Sequence, residues 1–304
     1  METELPPVKP LQKNTLTYVI KSLIAGGVAG SAAKTAVAPL DRLKIIFQTT
    51  SVAHTNKYAS HLGSIPGAFI ALSKIYKEYG ISGLFQGHSA TLLRIFPYAA
   101  IKFTSYEQFK HLLMDKKRSK LREFASGSLS GMNSVCCTYP IELIRVRMAV
   151  QLKKCSAIET IKSIYKENGG HILNFYKGFV PTIAGMIPYA GFAFLTYEQC
   201  VAFTKSRYDK LPAYIHLING GLSGAVAQTI SYPLEIIRRR MQVYSSNDVN
   251  YSTILNSIQT IYKEKGWRGF YVSLSIGYIK VIPMSMISFL VYEKMKQYLL
   301  INEQ

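Results

Sequence analysis

The chain has 304 residues, of which 48% are hydrophobic and 17% charged, yet its formal net charge is +19. The basic residues are spread among long apolar segments and not gathered on one helix or tail, which disfavours nucleic acid and leaves anionic lipid or an anionic solute as partner. Cys136, Cys137, Cys155 and Cys200 lack a CxxC spacing, the six histidines form no metal-ligand pattern, and no Walker loop or dinucleotide fingerprint occurs, so no enzyme, metal or cofactor is expected.

The first ten residues, Met1 to Pro10, are acidic and proline-rich, with neither an apolar signal region nor an Arg-rich presequence, so targeting is expected to be internal. Six stretches, at 19–48, 88–113, 122–151, 178–205, 213–243 and 274–300, read as helices long and apolar enough to span a bilayer. Each is interrupted by Gly, Pro, Ser, Thr or a charge, as suits a helix with one face on a wet cavity and another on lipid. Amphipathic stretches at Ile65–Tyr79, Ile158–Asn168 and Ile254–Lys265 lie between the paired spans and predict short helices at the membrane surface. Phe85-Gln-Gly87, Tyr176-Lys-Gly178 and Tyr271-Val-Ser273 then predict turns into the even spans. Lys116-Lys117-Arg118 crowd one loop while the surface helices are basic on the other side, so charge does not fix the orientation. Asn250-Tyr-Ser is a glycosylation triplet of a kind common by chance.

The odd spans carry one motif three times: Pro39-Leu-Asp41-Arg-Leu-Lys44, Pro140-Ile-Glu142-Leu-Ile-Arg145 and Pro233-Leu-Glu235-Ile-Ile-Arg238, their prolines 101 and 93 residues apart. Gly26/Gly30, Gly127/Gly131 and Gly220/Gly224 precede them, the second glycine always nine residues before the proline. Such small pairs let helices approach closely. The even spans repeat too. Pro97, Pro188 and Pro283 lie ten residues before Glu107, Glu198 and Glu293, each preceded by a tyrosine (Tyr106, Tyr197, Tyr292), and followed after three residues by Lys110, Val201 and Lys296. A threefold internal repeat comes before any other reading. The expected fold is an all-α membrane protein, one transmembrane domain over residues 1–304 with repeats near 19–113, 122–205 and 213–300.

Together the two signatures resemble the mitochondrial carrier family over essentially the whole chain. The resemblance implies six tilted transmembrane helices in three pseudosymmetric repeats around a central cavity, with short surface helices. It implies a monomer in the inner mitochondrial membrane, with a peroxisomal membrane as the alternative, and cardiolipin among its lipids. Pro39, Pro140 and Pro233 would act as hinges. A buried charge is costly and a well-placed pair offsets much of that cost. Following the family's ring, Asp41 would meet Arg145, Glu142 would meet Arg238 and Glu235 would meet Lys44, forming a matrix gate. Gln48 and Gln242 fall where family glutamines brace such pairs, and Ala149 stands at the third such place. Ile46, often basic in the family, is another departure. On the cytoplasmic gate, Glu198–Lys296 and Glu293–Lys110 would pair, leaving Glu107 opposite Val201 and the gate weaker there.

The solute site is expected near the midplane. Arg94, Gly185 and Lys280 each lie three residues before an even-span proline, and Lys34 adds a cation on the first span. Three cations without adjacent acids suit a multiply charged phosphate ester, with helix pairing or snorkelling as the alternative for Arg94 and Lys280. Gly185 followed by Met186 resembles the adenine-nucleotide subgroup, with Tyr189 placed to pack on a base; helix packing is the alternative for Gly185. Tyr98 and Lys102 point to the same level. At 100° per residue only Arg238 of Arg238-Arg239-Arg240 faces the gate, which puts the other two on other faces. The overall texture resembles the coenzyme A carriers. The implied function is antiport of coenzyme A, or a related adenine-containing phosphate ester, against an adenine nucleotide. An ADP/ATP or adenosine phosphosulfate carrier, a proton or anion leak, and a scaffold without transport are the alternatives.

Overall fold

The computed structural model describes residues 16–49, 65–113, 120–151, 155–205, 213–244 and 251–299. Met1–Pro10, Lys116–Arg118 and Asn250 lie outside the described residues. The helices in chain order are α1 (Leu16–Thr49), α2 (Ile65–Leu84, broken at Gly80), α3 (His88–Leu113), α4 (Lys120–Val150), α5 (Ala157–Lys166), α6 (Phe179–Lys205), α7 (Ala213–Val243), α8 (Ile254–Lys265), α9 (Leu274–Ile279) and α10 (Val281–Tyr298). No strand occurs among the described residues.

Six long rods result among the described residues, the last made of α9 and α10 joined at Lys280. The 34 residues of α1 extend about 51 Å at 1.5 Å per residue, well beyond a hydrocarbon core of about 30 Å. The segments Ile20–Thr49, Ile172–Lys205 and Ile254–Tyr298 are long and apolar enough to cross a membrane. The expectation that all six stretches are apolar enough is corrected for α3, α4 and α7, whose charged residues include those that converge on the interior.

Neighbours α1–α3, α3–α4, α4–α6, α6–α7, α7–α9 and α10–α1 pack in turn, so the rods close into a ring. The odd rods α1, α4 and α7 also touch one another, whereas no pair of α3, α6 and α10 is among the closely packed ones. The ring is therefore pinched at one end and splayed at the other. Pro39, Pro140 and Pro233 lie inside α1, α4 and α7. Each removes a backbone donor and lets the following turns lean inward.

Beyond those prolines an arginine on each odd helix caps the C-terminal carbonyls of the next. Arg42 Nε donates to Ala149 O at 3.0 Å and its Nη2 to Gln151 O at 2.8 Å. Arg147 Nη2 donates to Tyr244 O at 2.9 Å, and Arg240 Nε to Gln48 O at 3.3 Å. These carbonyls have no partner within their own helices, so the three contacts tie α1 to α4, α4 to α7 and α7 to α1.

The surface helices α5 and α8 start at polar caps, a Ser156/Glu159 capping box and Thr253. They bury Ile164 and Ile261 inward while Ile158, Ile161, Leu255 and Ile258 stay exposed, an apolar face suited to lipid. The turns into the even rods place Gly87, Gly178 and Ser273 at positive φ. A Cβ on Gly87 would stand 2.8 Å from Arg145 O, so no larger residue fits there. The third turn uses Ser273 at φ 68° instead. Tyr139 and Tyr232, just before their prolines, donate to Lys177 O and Val272 O at 2.7 and 2.8 Å and fasten two of these turns to the odd helices.

Candidate functional site

Three carboxylates and three cations meet where the odd helices converge. Within each motif, acid and base are three residues apart and share a helix face. Asp41 Oδ2 accepts from Arg145 Nη2 at 3.1 Å, Glu235 Oε1 from Lys44 Nζ at 2.8 Å, and Glu142 Oε1 pairs with Arg238 Nη2. All three pairs join different helices, in the pairing that the family resemblance implies. Asp41 and Glu142 are buried; such charges persist only when paired and hydrogen-bonded. Gln48 Nε2 donates to Glu235 Oε1 at 3.3 Å and to the Tyr232 hydroxyl at 3.2 Å. Gln242 Nε2 donates to the Tyr139 hydroxyl at 2.9 Å and its Oε1 accepts from Arg239 at 3.0 Å. Ala149 offers no polar atom in the second motif.

A cavity of about 370 Å³ opens on this ring, lined in part by Lys34, Arg94, Met186, Tyr189 and Lys280. The expectation of cations without adjacent acids is corrected for two of them. Arg94 Nη1 lies 2.8 Å from Glu142 Oε2 and Lys280 Nζ lies 2.7 Å from Asp41 Oδ1. Converging helices bring even-rod cations beside odd-rod acids far away in sequence. Lys34 fits the expectation: its Nζ contacts Met284 Sδ at 3.6 Å, with no ion pair among the described residues. Arg94 also stacks its guanidinium over Tyr98, 5.3 Å from the ring centre. Lys102 is exposed and lines neither this cavity nor the next.

A second hollow of about 160 Å³ lies between α6 and α7, lined by Gly185, Met186, Tyr189, Ser231 and Leu234. It shares Thr182, Met186, Tyr189, Glu235 and Arg238 with the main cavity. Leu234 Cβ would touch a Cβ added to Gly185 at 3.4 Å. Arg239 needs correcting: its Nη1 lies 3.3 Å from Glu142 Oε1, because a guanidinium reaches around the helix where its Cα does not. Arg240 does turn away, to Glu264 at 2.8 Å and Tyr251 at 2.9 Å.

At the splayed end the expected interhelical pairs give way to local ones. Glu293 takes Lys296 of its own helix at 3.7 Å, and Lys110 stands 6.0 Å from the Tyr106 ring centre. Lys296 lies 5.8 Å from the Tyr292 ring centre, and the Tyr197 hydroxyl is 3.2 Å from His216 Nδ1. Glu198 lies in α6 at the same end. Glu107 has no ion pair among the described residues. The reason is the splay itself, since α3, α6 and α10 do not pack together.

The capping arginines and the pre-proline tyrosines went unread in the sequence. Arg147 and Arg240 stand seven residues past their prolines, and Lys-Glu-x-Gly recurs at Glu78, Glu167 and Glu264; both signals were there to find. Glu167 accepts from Arg147 Nη1 at 2.9 Å and also pairs with Lys177. No group of three His, Cys, Asp or Glu able to hold a metal occurs among the described residues.

The family model described as mitochondrial carrier protein matches residues 16–117, 116–208 and 209–303. The chain is 43% identical to mitochondrial carrier protein LEU5 of Saccharomyces cerevisiae, over 93% of this chain and 91% of that protein. It is 38% identical to solute carrier family 25 member 16 of Homo sapiens, over 94% and 90%. With mitochondrial carrier protein CoAc1 of Arabidopsis thaliana it shares 35% identity, over 94% and 92%. Three consecutive family matches on a ring of three paired helices show that the chain belongs to the mitochondrial carrier family, transporters of the mitochondrial inner membrane.

Proposed function

We propose that the protein exchanges coenzyme A, or a close adenine-containing phosphate ester, for an adenine nucleotide. The observation that carries this reading is the 160 Å³ hollow at Gly185, Met186 and Tyr189, which shares a wall with a cavity lined by Lys34, Arg94 and Lys280. A flat base fits the first, between thioether and aromatic surfaces, and phosphates fit the second. The plant relatives are named CoAc1 and CoAc2, and the letters CoA agree with this reading.

In this reading the pinched end is the matrix gate and the splayed end, with Glu107, Glu198 and Glu293, is the cytoplasmic gate. Arg94 and Lys280 are held by Glu142 and Asp41. A phosphate that draws them away strips those carboxylates of partners and weakens the ring. The odd helices then part about Pro39, Pro140 and Pro233. A solute shifts the equilibrium only by its differential affinity for the two states, and this exchange of partners supplies such a difference.

The test is reconstitution in liposomes loaded with adenosine 3′,5′-bisphosphate, with uptake of labelled coenzyme A measured beside ADP and ATP. Saturable coenzyme A uptake that requires the internal nucleotide is expected. Uptake of ADP or ATP alone overturns the coenzyme A assignment.

A further inference from the structure

The charges around the main cavity do not balance. Seven cations and three carboxylates line it, an excess of four positive charges. The surplus is unevenly placed. Lys44 and Glu235 match one to one. Asp41 is shared by Arg145 and Lys280. Glu142 is shared by Arg94, Arg238 and Arg239. Lys34 has no carboxylate within ion-pair distance among the described residues. One charge is thus in excess at Asp41, two at Glu142 and one at Lys34. In addition, Arg238 Nε and Arg239 Nε are buried with no hydrogen-bond acceptor.

Uncompensated like charge inside a protein wall at membrane depth is costly. So is a buried donor without an acceptor. Both costs fall when an anion enters whose charge equals the surplus, and a weaker anion relieves less of them. We propose that the cavity selects solutes by total charge, taking phosphate esters with close to four negative charges, and that Lys34 and Arg239 set this preference. This deepens the coenzyme A reading and rests on it. A phosphomonoester carries about two negative charges near pH 7, and the bridging diphosphate of coenzyme A adds two more. Its dephosphorylated form, lacking the 3′-phosphate, keeps only about two. The two share base and pantetheine arm and differ only in the 3′-phosphate, which carries the difference in charge.

The experiment compares uptake of coenzyme A and dephospho-coenzyme A by the reconstituted full chain and by Lys34→Gln and Arg239→Gln. The unaltered chain is expected to prefer coenzyme A at least tenfold. Each neutral variant is expected to cut that ratio by about tenfold, the worth of one charge-assisted hydrogen bond, mainly by losing coenzyme A. Lys34→Arg and Arg239→Lys keep the charge and are expected to keep the preference, which guards against a mere folding defect. Variants that lose both solutes by one factor, or an unaltered chain that takes both alike, overturn the charge rule while leaving the coenzyme A reading standing. If the unaltered chain takes up no coenzyme A, that earlier reading fails, and thermal stabilisation by ATP against AMP decides the charge rule: a larger shift with ATP supports it, equal shifts overturn it.

Discussion

Lys280 Nζ lies 2.7 Å from Asp41 Oδ1 while Arg145 Nη2 holds the other carboxylate oxygen at 3.1 Å. The pair Asp41–Arg145 lacks a glutamine brace, because Ala149 occupies that place, and the even-rod lysine supplies the second donor instead. Lys280 also sits at the junction of α9 and α10, which fixes its position beside α1.

Lys280→Gln should therefore weaken two things at once. A buried carboxylate loses one of two charged donors, a loss of about 1.5–3 kcal/mol, offset in part by relief of the positive surplus at Asp41. Thermal unfolding of the unliganded carrier should come at lower temperature, and coenzyme A uptake should fall about tenfold or more. Normal uptake with an unchanged melting temperature would remove Lys280 from both roles.

Gly185→Ile should separate the base hollow from the gate. A Cβ there touches Leu234 at 3.4 Å, an ordinary contact, while a larger side chain occupies the 160 Å³ hollow. Uptake of coenzyme A is expected to fall below a tenth of normal, with thermal stability lowered by no more than about 1–3 kcal/mol. Full uptake would show that the base binds elsewhere.

The repeat made much of this fold legible. Prolines, acids and bases at fixed offsets located the odd helices, and the resemblance to the carrier family implied which charges meet. The interhelical use of Arg94 and Lys280 was not legible, because it depends on how far kinked helices lean together, a property of packing and not of spacing. Arg239 was missed for a related reason: angular position describes the Cα, and a guanidinium reaches well past it. Glu293 pairs locally with Lys296 because no pair of α3, α6 and α10 packs closely in this conformation.

Ser273 occupies a left-handed backbone position that glycine fills in the other two repeats, and its hydroxyl is buried without a partner. The conformation costs an L-residue about 1–2 kcal/mol, and the unpaired hydroxyl adds to it. Glycine loses about 0.5–1 kcal/mol through its freer unfolded chain. Ser273→Gly should therefore stabilise by about 1 kcal/mol and raise the unfolding temperature by about 2–4 °C. Gly87→Ala should do the reverse, since its Cβ meets Arg145 O. Unfolding curves of the purified variants in detergent decide both; a destabilised Ser273→Gly would mean that the hydroxyl has a partner in solution.

Val201→Lys tests the second gate. Each even helix carries an acid, but only α3 and α10 place a lysine three residues later, in Lys110 and Lys296. In the proposed closure of the splayed end, Glu107 would face an aliphatic side chain. A lysine at 201 would complete the third pair and deepen that closed state by about 0.2–1 kcal/mol if exposed, more if water is excluded. Because the proposed cycle must reopen this gate, the added stability raises the barrier to leaving the closed state, and turnover should fall by up to about fivefold. The Glu107→Gln, Val201→Lys double variant should recover the original rate, since the lysine then has no acid to hold. Exchange rates of the two variants in liposomes at saturating solute measure this; an unchanged or faster single variant would mean that closure at this end does not limit transport.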